Sequence, residues 1–162
     1  MTNYILEFFV STIAAIGFGL VFSIPLKILL VSGLNGGLGW LIYKIILNKF
    51  DSIYVATFVS ALVIAVLSEI LAKKLRYPAS IFNFPGIINL CPGEAIYNTM
   101  YYFINGQREI AIASFYKALV IAGAIAFGVL LASSFSQSLK THNLRPTKRT
   151  NYKEILWKKK YI

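Results

Sequence analysis

Between Phe82 and Met100 the chain reads Phe-Asn-Phe-Pro-Gly-Ile-Ile-Asn-Leu-Cys-Pro-Gly-Glu-Ala-Ile-Tyr-Asn-Thr-Met. The stretch is too apolar for a solvent loop. Yet two Pro-Gly pairs, Pro85-Gly86 and Pro92-Gly93, oppose an uninterrupted helix, because each proline removes a backbone donor and crowds the preceding turn. The expectation is a helix over about 79–104 broken at both pairs at membrane depth. Backbone freed there is tolerated only when buried in protein or lining a wet cavity, as in discontinuous transporter helices. The alternative is a kinked span whose freed carbonyls are met by neighbouring helices. Glu94, directly after the second pair, adds an ionisable group to the break.

Such a segment belongs to an all-α integral membrane protein. The 162 residues are 57% hydrophobic and 14% charged, with a mean hydropathy of +0.68, which is outside the range of soluble domains. One cysteine, Cys91, leaves no intramolecular disulfide and no multi-cysteine metal site. The net charge of +10 does not imply nucleic acid, since the excess lies in a basic tail over 140–162 beside an apolar span. With Trp157 and Tyr161 among its cations, that tail suits an anionic cytoplasmic leaflet.

The other spans follow from length and apolarity. The first covers 5–24, with Glu7 near its start and Ser11, Ala15, Gly19 and Ser23 forming a small-residue stripe for close helix contact. Pro25 and Lys27 introduce a second span, 28–47, where Gly33 and Gly37 make a GxxxG pair. A third runs over 53–71 and ends near Glu69, which has Lys73 four residues on as a partner at the interface. Asn105-Gly106 signals a turn. The fifth span, 118–135, carries Ala118, Ala122 and Ala126 on one stripe and Ala124, Gly128 and Ala132 on another, as expected of a helix packed among several others.

Five spans with the tail inside put twelve Lys and Arg within and four without, the latter being Lys44, Lys49, Arg108 and Lys117. This obeys the positive-inside rule and places the N-terminus outside. The short loops alone balance at four against four. Were the helix to restart at Gly93, the N–H groups of Glu94, Ala95 and Ile96 would form the positive end of a half-helix. Glu94 either caps that end or takes part in transport, and Asn83, Asn89, Pro92, Gly93, Tyr97 and Glu69 complete the candidate substrate-binding or coupling set. No cofactor or metal is expected. The one histidine, His142, lies in the tail and no nucleophile and base stand at a recognisable spacing, so an enzyme is disfavoured.

The residues also carry a resemblance. Gly17 to Pro25, Gly36-Gly37-Leu38-Gly39-Trp40, Ala56-Thr57-Phe58, Pro78 and above all Leu90-Cys91-Pro92-Gly93 with Tyr97 resemble the small, C-terminal-half subunit of the threonine/serine exporter family over roughly residues 13–132. The chain departs from that pattern at Asn89, where the family often has proline, and at Glu94, where it usually has a small residue. The resemblance implies a half-transporter in a bacterial inner membrane, exporting small amino acids such as threonine and serine or a dicarboxylate such as succinate. It further implies coupling to an ion gradient, with Glu94 or Glu69 as proton carrier, and a companion five-span subunit as partner, with self-association as a further possibility. The residues themselves leave open a non-transporting scaffold or assembly subunit, and a channel.

Overall fold

The computed structural model describes residues 4–141, with side chains as far as Ser136. They form six helices: α1 (Tyr4–Val21), α2 (Leu26–Phe50), α3 (Ile53–Leu75), α4 (Ala79–Ile88), α5 (Gly93–Ile104) and α6 (Arg108–Thr141). The expected tail, but for its first two residues, lies outside the described residues. Left-handed residues end the elements: Ser23 (φ 55°) follows α1, and Asp51 (φ 49°) and Arg76 (φ 58°) close α2 and α3. Gly106, at φ 75°, makes the expected turn between α5 and α6.

Four helices, α1, α2, α3 and α6, are long and apolar enough to cross a membrane. That is one fewer than the five expected spans. In place of the fourth stand two short helices, and α4, at ten residues, is only about 15 Å long. The outer faces of the long helices expose Leu20, Leu26, Leu30, Phe127, Leu130 and Phe135, a surface suited to hydrocarbon rather than water.

Small residues set the packing, since hydrocarbon outside the bundle gives no hydrophobic drive between helices and close backbone approach must replace it. α2 is the central helix and touches α1, α3 and α4. Its Gly33 and Gly37 sit against Ile16, Thr12 and Phe8 of α1. A Cβ on Gly36 would stand 2.7 Å from the Ala15 Cβ and 3.3 Å from the Gly86 Cα, so α1, α2 and α4 meet at that level only because two of the three residues are glycines. In the expected α1 stripe, Ser11, Ala15 and Gly19 are buried, whereas Ser23 lies beyond the helix end and is exposed. α6 runs parallel to α3: a Cβ on Gly128 would meet the Phe58 carbonyl at 2.9 Å, and farther along Ser136 reaches Glu69. Ala118, Gly128 and Ala132 are buried, but Ala122 and Ala126 are exposed. The rest of the Ala118 stripe therefore faces outward in the single chain.

The first Pro-Gly pair does not break its helix. Pro85 lies inside α4, buried, and the helix continues to Ile88. The cost of a mid-helix proline is the carbonyl four residues back, left without its donor, and here the Ser32 hydroxyl donates to that Ile81 oxygen at 2.9 Å. One residue on, the Asn35 amide donates to the Phe82 oxygen at 3.2 Å, and also to Ser68 Oγ at 2.9 Å. The kinked-span alternative therefore describes Pro85, and the break is confined to Asn89–Pro92.

Two outcomes test this arrangement. Ser32→Ala is expected to lower stability by about 0.6 kcal/mol, the average worth of an interhelical hydrogen bond in a membrane, as measured by reversible unfolding in mixed micelles. In a Pro85→Ala background, where the restored backbone N–H at that position can serve the Ile81 carbonyl, the same substitution should cost less than half as much. Gly36→Leu should abolish monodisperse protein on size-exclusion chromatography, because backbone rather than a flexible side chain bounds part of that space.

Candidate functional site

The chain breaks where a second proline meets a run of short helical bonds. Leu90 N–H reaches the Ile87 carbonyl, Cys91 N–H that of Ile88, and Gly93 N–H that of Cys91 at 2.8 Å. Pro92 (φ −77°, ψ 53°) leaves helical geometry, and α5 restarts at Gly93. The restart leaves the Glu94 and Ala95 N–H groups with no carbonyl one turn back. The Ile96 N–H, expected to be free as well, instead donates to the Pro92 carbonyl at 3.0 Å, because Pro92 already acts as the helix cap; Glu94 occupies that turn. Its carboxylate is exposed and forms no ion pair among the described residues.

Asn89 ties the break to α1. Its amide donates to the Ser11 carbonyl at 3.0 Å and to Ser11 Oγ at 2.8 Å. Two cavities adjoin at this residue and at Trp40. The larger, about 410 Å³, lies between α1 and α2 and includes Glu7, Ser11, Lys44 and Asn89 in its lining. The smaller, about 190 Å³, is lined by Tyr43, Thr57, the segment Asn89 to Ala95, Lys117 and Ile121. Each holds one carboxylate and one ammonium group. In the larger cavity Lys44 Nζ lies 3.3 Å from Glu7 Oε1, and the Trp40 indole N–H donates to Glu7 Oε2 at 3.3 Å. In the smaller, Glu94 and Lys117 face the same space without forming an ion pair.

The structure thus brings together Asn89, Pro92, Gly93 and Glu94 of the expected set. Tyr97 lies one turn farther along α5, exposed, and stacks on Tyr101 with ring centroids 6.2 Å apart. Asn83 sits on α4 outside both linings, with its side-chain oxygen buried and unpartnered. Glu69 is remote from the break. Its carboxylate accepts a hydrogen bond from Ser136 at 2.8 Å and forms no ion pair with Lys73, contrary to the expected i,i+4 pairing. The α6 helix supplies a buried hydroxyl there, which satisfies the carboxylate more closely than an exposed lysine tip. Gly33, Gly37, Ala15 and Gly19 lie in helix contacts rather than in the cavities.

The sequence pattern gives no site role to Lys44, which it counts on the outer side at the end of the second span, to Lys117, which it puts outside the fifth span, or to Glu7, which it notes near the start of the first. Lys44 lies inside α2, and Lys117 inside α6, which begins at Arg108 rather than at the expected Ala118. An ionisable residue inside an apolar span is the available signal. It applies to Glu7 as well as to Glu94.

If the smaller cavity holds water, Cys91, exposed in its lining, should react with a charged maleimide in lipid nanodiscs. A cysteine placed at buried Ile125 in a Cys91→Ser background should react at least tenfold more slowly. Reaction of Cys91 with an apolar maleimide alone would mean that the cavity is dry.

Comparison with known proteins bears on this geometry. The protein family described as Threonine/Serine exporter, ThrE, matches residues 7–135. An uncharacterised protein of Haemophilus influenzae is 30% identical over 139 residues, which cover 81% of this chain and 47% of that protein. A threonine/serine exporter of Corynebacterium glutamicum is 26% identical over 111 residues, 68% of this chain and 22% of the relative. The chain therefore spans less than half the length of these relatives. No solved structure matches it.

Proposed function

The chain belongs to the threonine/serine exporter family, and from that premise we propose that it is a half-transporter in a secondary exporter of small amino acids such as threonine and serine, or of a dicarboxylate such as succinate. It works in a bacterial inner membrane as a multi-pass protein, with its N-terminus outside and its basic tail in the cytoplasm. Substrate passes the break at Asn89–Pro92, and an ion gradient drives export. A companion five-span subunit completes the pathway.

The observation that carries this reading is the helix break between two adjoining cavities, each with a cation and an anion in its wall. Broken helices place backbone dipoles at substrates, and adjacent charges give polar solutes a foothold in an apolar setting. A companion is supported by the exposure of Glu94. A charged side chain at the bilayer centre costs about 2.5–3.5 kcal/mol on insertion scales, and a second subunit closing the cavity that Glu94 lines would shield the carboxylate from lipid. The greater length of the relatives accords with additional protein beside this unit. Glu94 is the proposed proton carrier of the pair considered, since Glu69 is engaged by Ser136 and lies away from the cavities. A passive scaffold gives no use to charged groups in cavities at a break.

Efflux of radiolabelled threonine, serine and succinate from proteoliposomes tests the proposal, with the chain alone and with its companion. The expected result is gradient-dependent efflux that needs both halves and falls at least tenfold in Glu94→Gln at equal incorporation. Efflux untouched by that substitution would reduce Glu94 to a helix cap. No efflux of any of the three in either arrangement would overturn the transporter reading.

A further inference from the structure

We propose that Glu7, Lys44 and Trp40 form a head-group subsite for a zwitterion, with the substrate carboxylate on Lys44 and its ammonium on Glu7. The proposal rests on the exporter reading and narrows it to amino acids over dicarboxylates.

The subsite is built from two helices. Glu7 on α1 and Lys44 on α2 form the one ion pair among the described residues, and each side chain keeps about a quarter of its surface exposed (24% and 25%). Trp40 fixes the carboxylate through its indole N–H, and the ammonium lies 5.8 Å from the indole ring centroid. The adjoining space, about 410 Å³, falls in the range of small-molecule sites. Asn89, anchored on Ser11, closes its far side and continues into the cavity of Glu94. A ligand held here touches the helix break.

The pair is not needed to join α1 to α2, since Gly33 and Gly37 already hold them in close contact. Its chemistry fits exchange. A zwitterion inserted between Glu7 and Lys44 replaces one ion pair by two, so no charge is left buried without a partner, which is the arrangement that costs most. A dicarboxylate cannot do this, because its second carboxylate would face that of Glu7. Trp40 keeps Glu7 aimed while Lys44, on its flexible stem, turns to the ligand.

Efflux kinetics in the reconstituted pair of halves provide the test, with threonine and succinate compared. Lys44→Gln and Glu7→Gln should each raise the threonine KM about tenfold or more, the scale of a lost charge-assisted hydrogen bond, while Lys44→Arg retains most of the affinity. Glu7→Gln should at the same time improve succinate relative to threonine about tenfold. A merely structural pair predicts equal losses for both substrates in Glu7→Gln, or a lower maximal rate at unchanged KM in either variant, and either result would overturn the subsite. A second readout separates this from failure of the exporter reading. In Trp157→Phe protein, Trp40 is the remaining tryptophan, and threonine should change its fluorescence saturably in the wild-type background but not in Lys44→Gln. Binding without efflux would keep the subsite and discard export. Wild-type efflux with KM values unmoved in both Gln variants would discard the subsite and keep export.

Discussion

A backbone carbonyl surrounded by hydrocarbon and side chains has to find a donor, and this requirement organises the bundle. Pro85 creates such a carbonyl at Ile81, and α2 meets it with Ser32, while Asn35 one turn on serves Phe82 and Ser68. Those donors reach α4 only because the helices approach closely at Gly36 and Gly86. Glycine, serine and asparagine on one face of α2 are therefore one device: the glycines admit the helix, and the polar side chains make its proline tolerable. A row of leucines in their place would pack α2 against lipid and leave α4 no seat.

The same device explains why the two prolines behave differently. Around Pro85 the neighbouring α2 supplies hydroxyl and amide donors, so the helix survives. Around Pro92 the neighbours are Trp40, Tyr43, Thr57 and Ile121 at the edge of a cavity. The helix stops there, and Asn89 commits its amide to Ser11, which holds the stop in register with α1. The polar side chains that hold the frame and those that face a cavity are thus separated along α2. Ser32 and Asn35 serve the frame, while Trp40 and Lys44, farther along the helix, face the space beside the break.

Much of this was legible in the sequence. Apolar length gave the four long helices, four-residue spacing of small residues gave the contacts at Ala15, Gly33 and Gly37, and Pro92-Gly93 with Glu94 gave the break. What could not be read was partner choice. Whether Pro85 kinks or breaks depends on Ser32, forty-nine residues from Ile81, and nothing local encodes that distance. Glu69 points toward Lys73 on paper because helical spacing is visible in a sequence, whereas Ser136 is visible only once α6 lies along α3. Lys44 and Lys117 escape for a related reason: a charge near a span end reads as a loop charge until the helix is seen to pass through it.

The attachment of α5 has a mechanical consequence. α1 to α4 grip one another through several interfaces, but α5 packs against α6, and the side chain it contributes to the core is Ala95. The free energy holding that helix in place is correspondingly small, because opening it breaks a single seam. The wall bearing Glu94 is thus the least anchored part of a cavity whose other walls are fixed. In the vocabulary of machines, the bundle is the housing, α6 is the post, and α5 is the leaf hung on it by one seam.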